Sequence, residues 1–88
     1  MKNTKNFIPM IFTKVPNCPN WTRGSILGFT FSIKHYERGS EHGIDGGRVS
    51  KLEIRKDNRI LVNYDRGWDI EPTDETREAY NLILEKFN

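Results

Sequence analysis

The stretch RVSKLEIRKDNRILVNYD, residues 48–65, decides the fold of this chain. Ser50, Leu52 and Ile54 alternate with Lys51, Glu53 and Arg55, and Ile60, Val62 and Tyr64 recur at every second position on either side of Leu61 and Asn63, the period-two spacing of strands. Asp57 and Asn58 between them mark a turn. A two-residue turn would set Ile54 against Leu61 and send the two apolar sets to opposite faces. A three-residue loop, Lys56-Asp57-Asn58, sets Ile54 against Ile60, Leu52 against Val62 and Ser50 against Tyr64. Asn58 tolerates the left-handed conformation such a loop needs. One buried face requires one apolar set, so the face rule selects the three-residue loop.

Upstream, Phe29, Phe31 and Ile33 alternate with Thr30, Ser32 and Lys34. They predict a strand over Phe29–Tyr36, paired through Leu27-Gly28 with Trp21–Ile26. Downstream, Thr76, Tyr80, Ile83, Leu84 and Phe87 recur at helical spacing. A helix is expected after Pro72, with Thr73 as its N-cap, Asp74 and Glu75 in its first turn and Lys86 in its last. The sequence therefore predicts an α+β domain over 20–88: a four-stranded antiparallel meander with the C-terminal helix on one face. Its expected core is Phe29, Phe31, Ile33, Leu52, Ile54, Ile60, Val62, Tyr80, Ile83 and Phe87. Residues 1–19 hold three of the four prolines and read as an extended arm.

With 88 residues and ten aromatics the chain is one small domain. No apolar run approaches the ~20 residues of a membrane helix, and Phe7–Phe12 is too short for a signal-peptide core. A cytoplasmic location is expected. Cys18 is the single cysteine, which excludes an internal disulfide and a thiolate metal cluster. Residues 1–70 carry twelve Lys/Arg against seven Asp/Glu, so +5, and residues 71–88 carry two against five, so −3. An acidic helix beside a basic sheet accounts for this; the same surplus would attract an anionic partner.

Two segments exceed what packing asks for: ERGSEHGIDGG (37–47) and YDRGWDI (64–70). In the expected register Arg48 lies opposite Arg66 and Val49 opposite Asp65, so both segments meet at one end of the sheet. That end would gather Ser40, Glu41, His42, Asp45, Gly46, Gly47 and Arg48 with Asp65, Arg66, Trp68 and Asp69. Backbone amides of a glycine-rich loop can form an anion nest. Two arginines can grip a phosphate, and Trp68 would offer a flat face to a base. The plainer reading is an ion-pair network in which Asp45, Asp65 and Asp69 hold Arg48 and Arg66 and lock the loop.

Other chemistries find less support. Acidic residues beside two arginines make a poor cation site, and their spacing fits no zinc or EF-hand pattern. No cofactor is expected. A small hydrolase using Glu41, His42 and Asp65 is an alternative, although Ser40 and His42 on an extended chain give no local Ser–His pair. His35 continues an apolar register and reads as a packing residue. The opposite sheet face, with Thr30, Ser32, Val49, Glu53 and Leu61 among Lys34, Tyr36, Lys51, Arg55 and Arg59, could follow a nucleic-acid backbone. It carries few exposed aromatics for stacking.

At GSEHGIDGGRVSKL (39–52) and NYDRGWDIEPTDE (63–75), and at Trp21 to Gly24, the chain resembles a family of short uncharacterised phage- and prophage-type proteins. The likeness spans about residues 20–87. It implies an accessory protein that binds a host protein, a nucleic acid or a nucleotide signal. The expected function is thus a non-enzymatic binding module, engaging a host protein or an anionic ligand through the glycine-rich end of the sheet, with an oligomer compatible with its exposed edge.

Overall fold

The computed structural model describes residues 8–88. Six antiparallel strands run in chain order: β1 (Met10–Lys14), β2 (Trp21–Ile26), β3 (Phe29–His35), β4 (Val49–Lys56), β5 (Arg59–Asp65) and β6 (Trp68–Ile70). One helix, α1 (Arg77–Phe87), lies on one face. The α+β meander with a C-terminal helix is as expected, but the sheet has six strands, not four. Both additional strands are edges. Part of the stretch read as an extended arm forms β1, whose Phe12 meets Phe87 edge-on at 5.2 Å between centroids. Its close pairing with β2 requires Gly24, where a Cβ would collide with the Ile11 carbonyl.

The turn between β4 and β5 corrects the expected register. Asp57 and Asn58 both have positive φ, 53° and 67°, and form a two-residue turn with Lys56 opposite Arg59. The parity that a three-residue loop would have restored is restored inside the ladder. Arg55 pairs with Ile60 and Ile54 with Val62, so Leu61 is the extra residue of a bulge. Leu52 then faces Tyr64. Ile60, expected in the core, is 40% exposed beside Arg55. Arg59 leaves the open face as well: its cross-strand partner Lys56 sits over the ring of core residue Phe29 at 5.2 Å. A second shift, between Lys34 and His35, sets His35 opposite Val49 and turns Val49 into the core instead of onto the open face.

The core gathers Ile26, Phe29, Phe31, Ile33, Val49, Leu52, Ile54, Val62 and Tyr64 from the sheet, and Ala79, Tyr80, Ile83 and Phe87 from the helix. Ile44, from the glycine-rich connection, joins them. The helix starts one turn later than expected, with Thr76 and not Thr73 at its cap position. Residues 73–76 form a turn closed by the Thr76 amide on the Thr73 carbonyl. The fully buried Thr76 hydroxyl accepts from the Thr73 amide at 3.0 Å, which fixes the chain direction before the first helical residue. Among the described residues no helix is long and apolar enough to cross a membrane.

Candidate functional site

The glycine-rich connection folds back on itself. The amides of Ser40, Gly43, Gly46 and Gly47 donate to the carbonyls of Gly47, Ser40, Gly43 and Ile44, and the His42 amide donates to the Ser40 hydroxyl. These donors are therefore spent within the loop, and the expected anion nest does not form from them. Ile44 is buried beneath the loop, with exposed Asp45 (φ 52°) and Gly46 (φ 74°) turning the chain above it. A Cβ on Gly43 would collide with the Gly47 carbonyl, so that glycine is a steric requirement of the loop.

Asn88, just past the helix, clamps the connection from the other side. Its side-chain carbonyl accepts from the Val49 amide at 2.8 Å, and its amide group donates to the Ile44 carbonyl at 3.0 Å. Its backbone carbonyl accepts from the Arg48 amide at 3.4 Å. Nothing in the sequence around residue 88 announces this, beyond the general aptness of asparagine at a helix C-terminus.

The second segment does reach the first. The Tyr64 hydroxyl donates to the His42 carbonyl at 2.9 Å, and the Arg66 amide donates to the Ser50 carbonyl at 2.9 Å. Arg66 thus lies level with Ser50 and not with Arg48, a consequence of the bulged register. The side chains then part. Trp68, 39% exposed, packs toward the helix against Tyr64 (4.9 Å) and Tyr80 (5.7 Å). Asp65 faces Lys51 and Arg66, each at 3.7 Å, and Asp69 accepts from the Asn63 amide group. Glu41 and His42 form an exposed pair at 3.7 Å. The expected arginine network is absent: among the described residues Arg66 pairs only with its neighbour Asp65, and Arg48 has no ion pair.

Arg48 instead lines a cleft of about 470 Å³ at this same sheet end. The turn between β1 and β2 forms one wall, from Lys14 through Cys18 to Trp21 and Thr22. His35, Tyr36, Glu37 and Arg48 form the other. The volume falls in the range of small-ligand pockets. His35 sits between the walls, with Nε2 3.1 Å from the Thr22 hydroxyl and its ring 5.2 Å from that of Phe87. Burial lowers its pKa below the usual 6.5, and the charges of Arg48 and then Lys14 lower it further. The cleft is therefore felt as positive by its central imidazole. Elsewhere, burial raises the Tyr80 phenol above 10.0, with Asp45 adding to the effect.

Residues 20–88 match the family described as Domain of unknown function (DUF7678). The chain belongs to that family. The DUF7678 segment contains β2 to α1 with the glycine-rich connection, while β1 lies outside it. The cleft is thus made jointly, its Trp21, Thr22, His35 and Arg48 from the DUF7678 segment and its Lys14 from outside. Neither a curated protein nor a solved structure matches the chain.

On the open face of the DUF7678 sheet two of the cations are paired with carboxylates. Lys51 meets Asp65 and Arg55 meets Glu53 at 3.1 Å, while Lys34 lies over the Tyr36 ring at 5.7 Å. Arg23 and half-buried Trp21 also lie on this face, by their pairing with Ser32 and Lys34.

Proposed function

We propose that this chain is a small non-enzymatic binding module that takes an anionic, nucleotide-like ligand in the cleft between the β1–β2 turn and Arg48. The observation that carries this reading is Arg48 itself: a guanidinium with no carboxylate partner among the described residues, in a cleft that also holds His35, Lys14 and two aromatic rings. Arginine offers a fork of donors that suits a phosphate, and the rings of Trp21 and Tyr36 suit a planar base. Glu37, also at the cleft, would accept from a sugar hydroxyl or a base amine. The resemblance to phage-type proteins supports an accessory role, with a nucleotide signal or the phosphorylated surface of a host protein as sources of the same chemistry.

Nucleic-acid binding across the open face is supported less well. Of its five expected residues, Lys51 and Arg55 are paired and Arg59 lies on the other side of the sheet. A hydrolase built on Glu41, His42 and Asp65 finds Asp65 engaged by Lys51 and Arg66.

A thermal-shift screen with inorganic phosphate, nucleoside mono-, di- and triphosphates and a short oligonucleotide tests the proposal. A ligand present at ~100 times its dissociation constant adds roughly 2.7 kcal/mol of stability. Stabilisation by a mononucleotide with a shallow dependence on salt supports the cleft. Stabilisation by the oligonucleotide alone, falling steeply with salt, supports the open face.

A further inference from the structure

β1 is a short edge strand whose protections sit at its ends and leave its middle open. Proline brackets it at positions 9 and 16 but does not interrupt it, and its single charge, Lys14, stands at the end. The Val15 amide donates to the Trp21 carbonyl, which fixes the alternation of the β1–β2 ladder. Ile11 and Thr13 turn their backbone groups toward β2, and Met10, Phe12 and Lys14 turn theirs outward. Those outward groups have no backbone partner among the described residues. Ile11, 73% exposed, stands on the open face beside them.

From this edge we infer that the chain forms a two-fold dimer by antiparallel pairing of β1 with β1 of a second copy, giving one continuous twelve-stranded sheet. With the axis at Phe12, Met10 of one copy faces Lys14 of the other, and every outward donor meets an acceptor. Charge selects this occupant and this register. Met10 shares a groove of about 410 Å³ with Glu85 on the helix. Lys14, on the same face as Met10, would be delivered by the second copy to that carboxylate, and the two-fold makes the contact twice. Lys86, held over its own Phe12 ring at 5.3 Å, brings a further cation toward the axis and keeps the affinity moderate. Lys14 also lines the ligand cleft, so the dimer draws on one residue of the proposed binding site, while Arg48, without an ion pair among the described residues, takes no part in the β1 contact.

Sedimentation velocity on the full chain, from about 10 µM to about 1 mM, tests the inference. Both Lys14 and Glu85 are exposed, so charge reversal leaves the fold intact. Lys14→Glu and Glu85→Lys should each raise the dimer dissociation constant by about tenfold, since each breaks two ion pairs and introduces two repulsions. The double variant should return it to within about threefold of the original. A chain that stays monomeric throughout overturns the inference. So does a dimer indifferent to the single reversals, or one the double reversal fails to restore.

Discussion

The Tyr64 hydroxyl, at the end of β5, donates to the backbone carbonyl of His42, twenty-two residues earlier in the glycine-rich connection, at 2.9 Å. This bond ties the two unusual segments of the sequence together. Its partner on the other side of the loop is Asn88, and between them the connection is held as a structural element over Ile44.

Tyr64→Phe keeps the ring that packs against Trp68 and removes only the donor. Leaving the His42 carbonyl without its partner should cost about 1 kcal/mol, a fall of about 4–8 °C in melting temperature for a domain this size. Chemical denaturation at neutral pH measures it. An unchanged midpoint would mean the loop is not anchored there.

The turn at Asp57-Asn58 carries two residues at positive φ, and neither is glycine. Asn58→Gly should stabilise the domain by about 0.5 kcal/mol, because glycine meets that conformation without strain and the type I′ turn favours it. A three-residue loop with the bulge-free ladder would put only one residue there in the left-handed region. Asp57→Gly separates the two: at positive φ it should be neutral or stabilising, whereas at the right-handed position of a three-residue loop it should destabilise. Denaturant midpoints of both variants distinguish the registers.

His35 couples stability to pH. Its folded-state pKa is lowered by burial, then by Arg48 and Lys14, so protons bind more readily to the unfolded chain. The stability this neutral imidazole contributes is present above its ordinary value of 6.5 and is lost as pH falls through that value and the lower folded one. Denaturant midpoints should decline from about pH 7 to about pH 5, and His35→Gln should flatten that part of the profile. A bound anion offsets the repulsion from Arg48 and Lys14, so ligand affinity should rise over the same interval. A profile unaltered in His35→Gln would contradict the assignment.

How much of this was legible follows from where the information lies. The alternation of β3, β4 and β5 and the stripe of Tyr80, Ile83 and Phe87 name their buried faces, because the periods of strand and helix differ. Bulges at Ser50 and Leu61 demand no special residue type, so their two displacements of register are invisible until the core is assembled. Strands of five and three residues, β1 and β6, are too short to show a period. Asn88 acts on Ile44 and Val49, thirty-nine residues or more away, through one side chain. Arg48 is a candidate in the sequence, but the companions expected for it there, Arg66 and the acidic residues, are not the ones that share its cleft. Without β1 in the sheet, nothing in the sequence brings Lys14 to its side, and the expected register places Arg66 there instead.

The central claim is that Arg48 is held for a ligand and not for the fold. Titration calorimetry of Arg48→Ala and Arg66→Ala with the nucleotide that stabilises the parent chain, alongside their unfolding free energies, tests it most directly. Arg48→Ala should lower stability by no more than about 1 kcal/mol, the packing of a half-buried stem with no ion pair among the described residues, while its affinity falls at least about tenfold. Arg66→Ala, whose only ion pair among the described residues is the exposed one with Asp65, should bind as the parent does. An Arg48→Ala chain that binds undiminished, or one that loses several kcal/mol of stability when the parent binds no anion at all, would contradict the account.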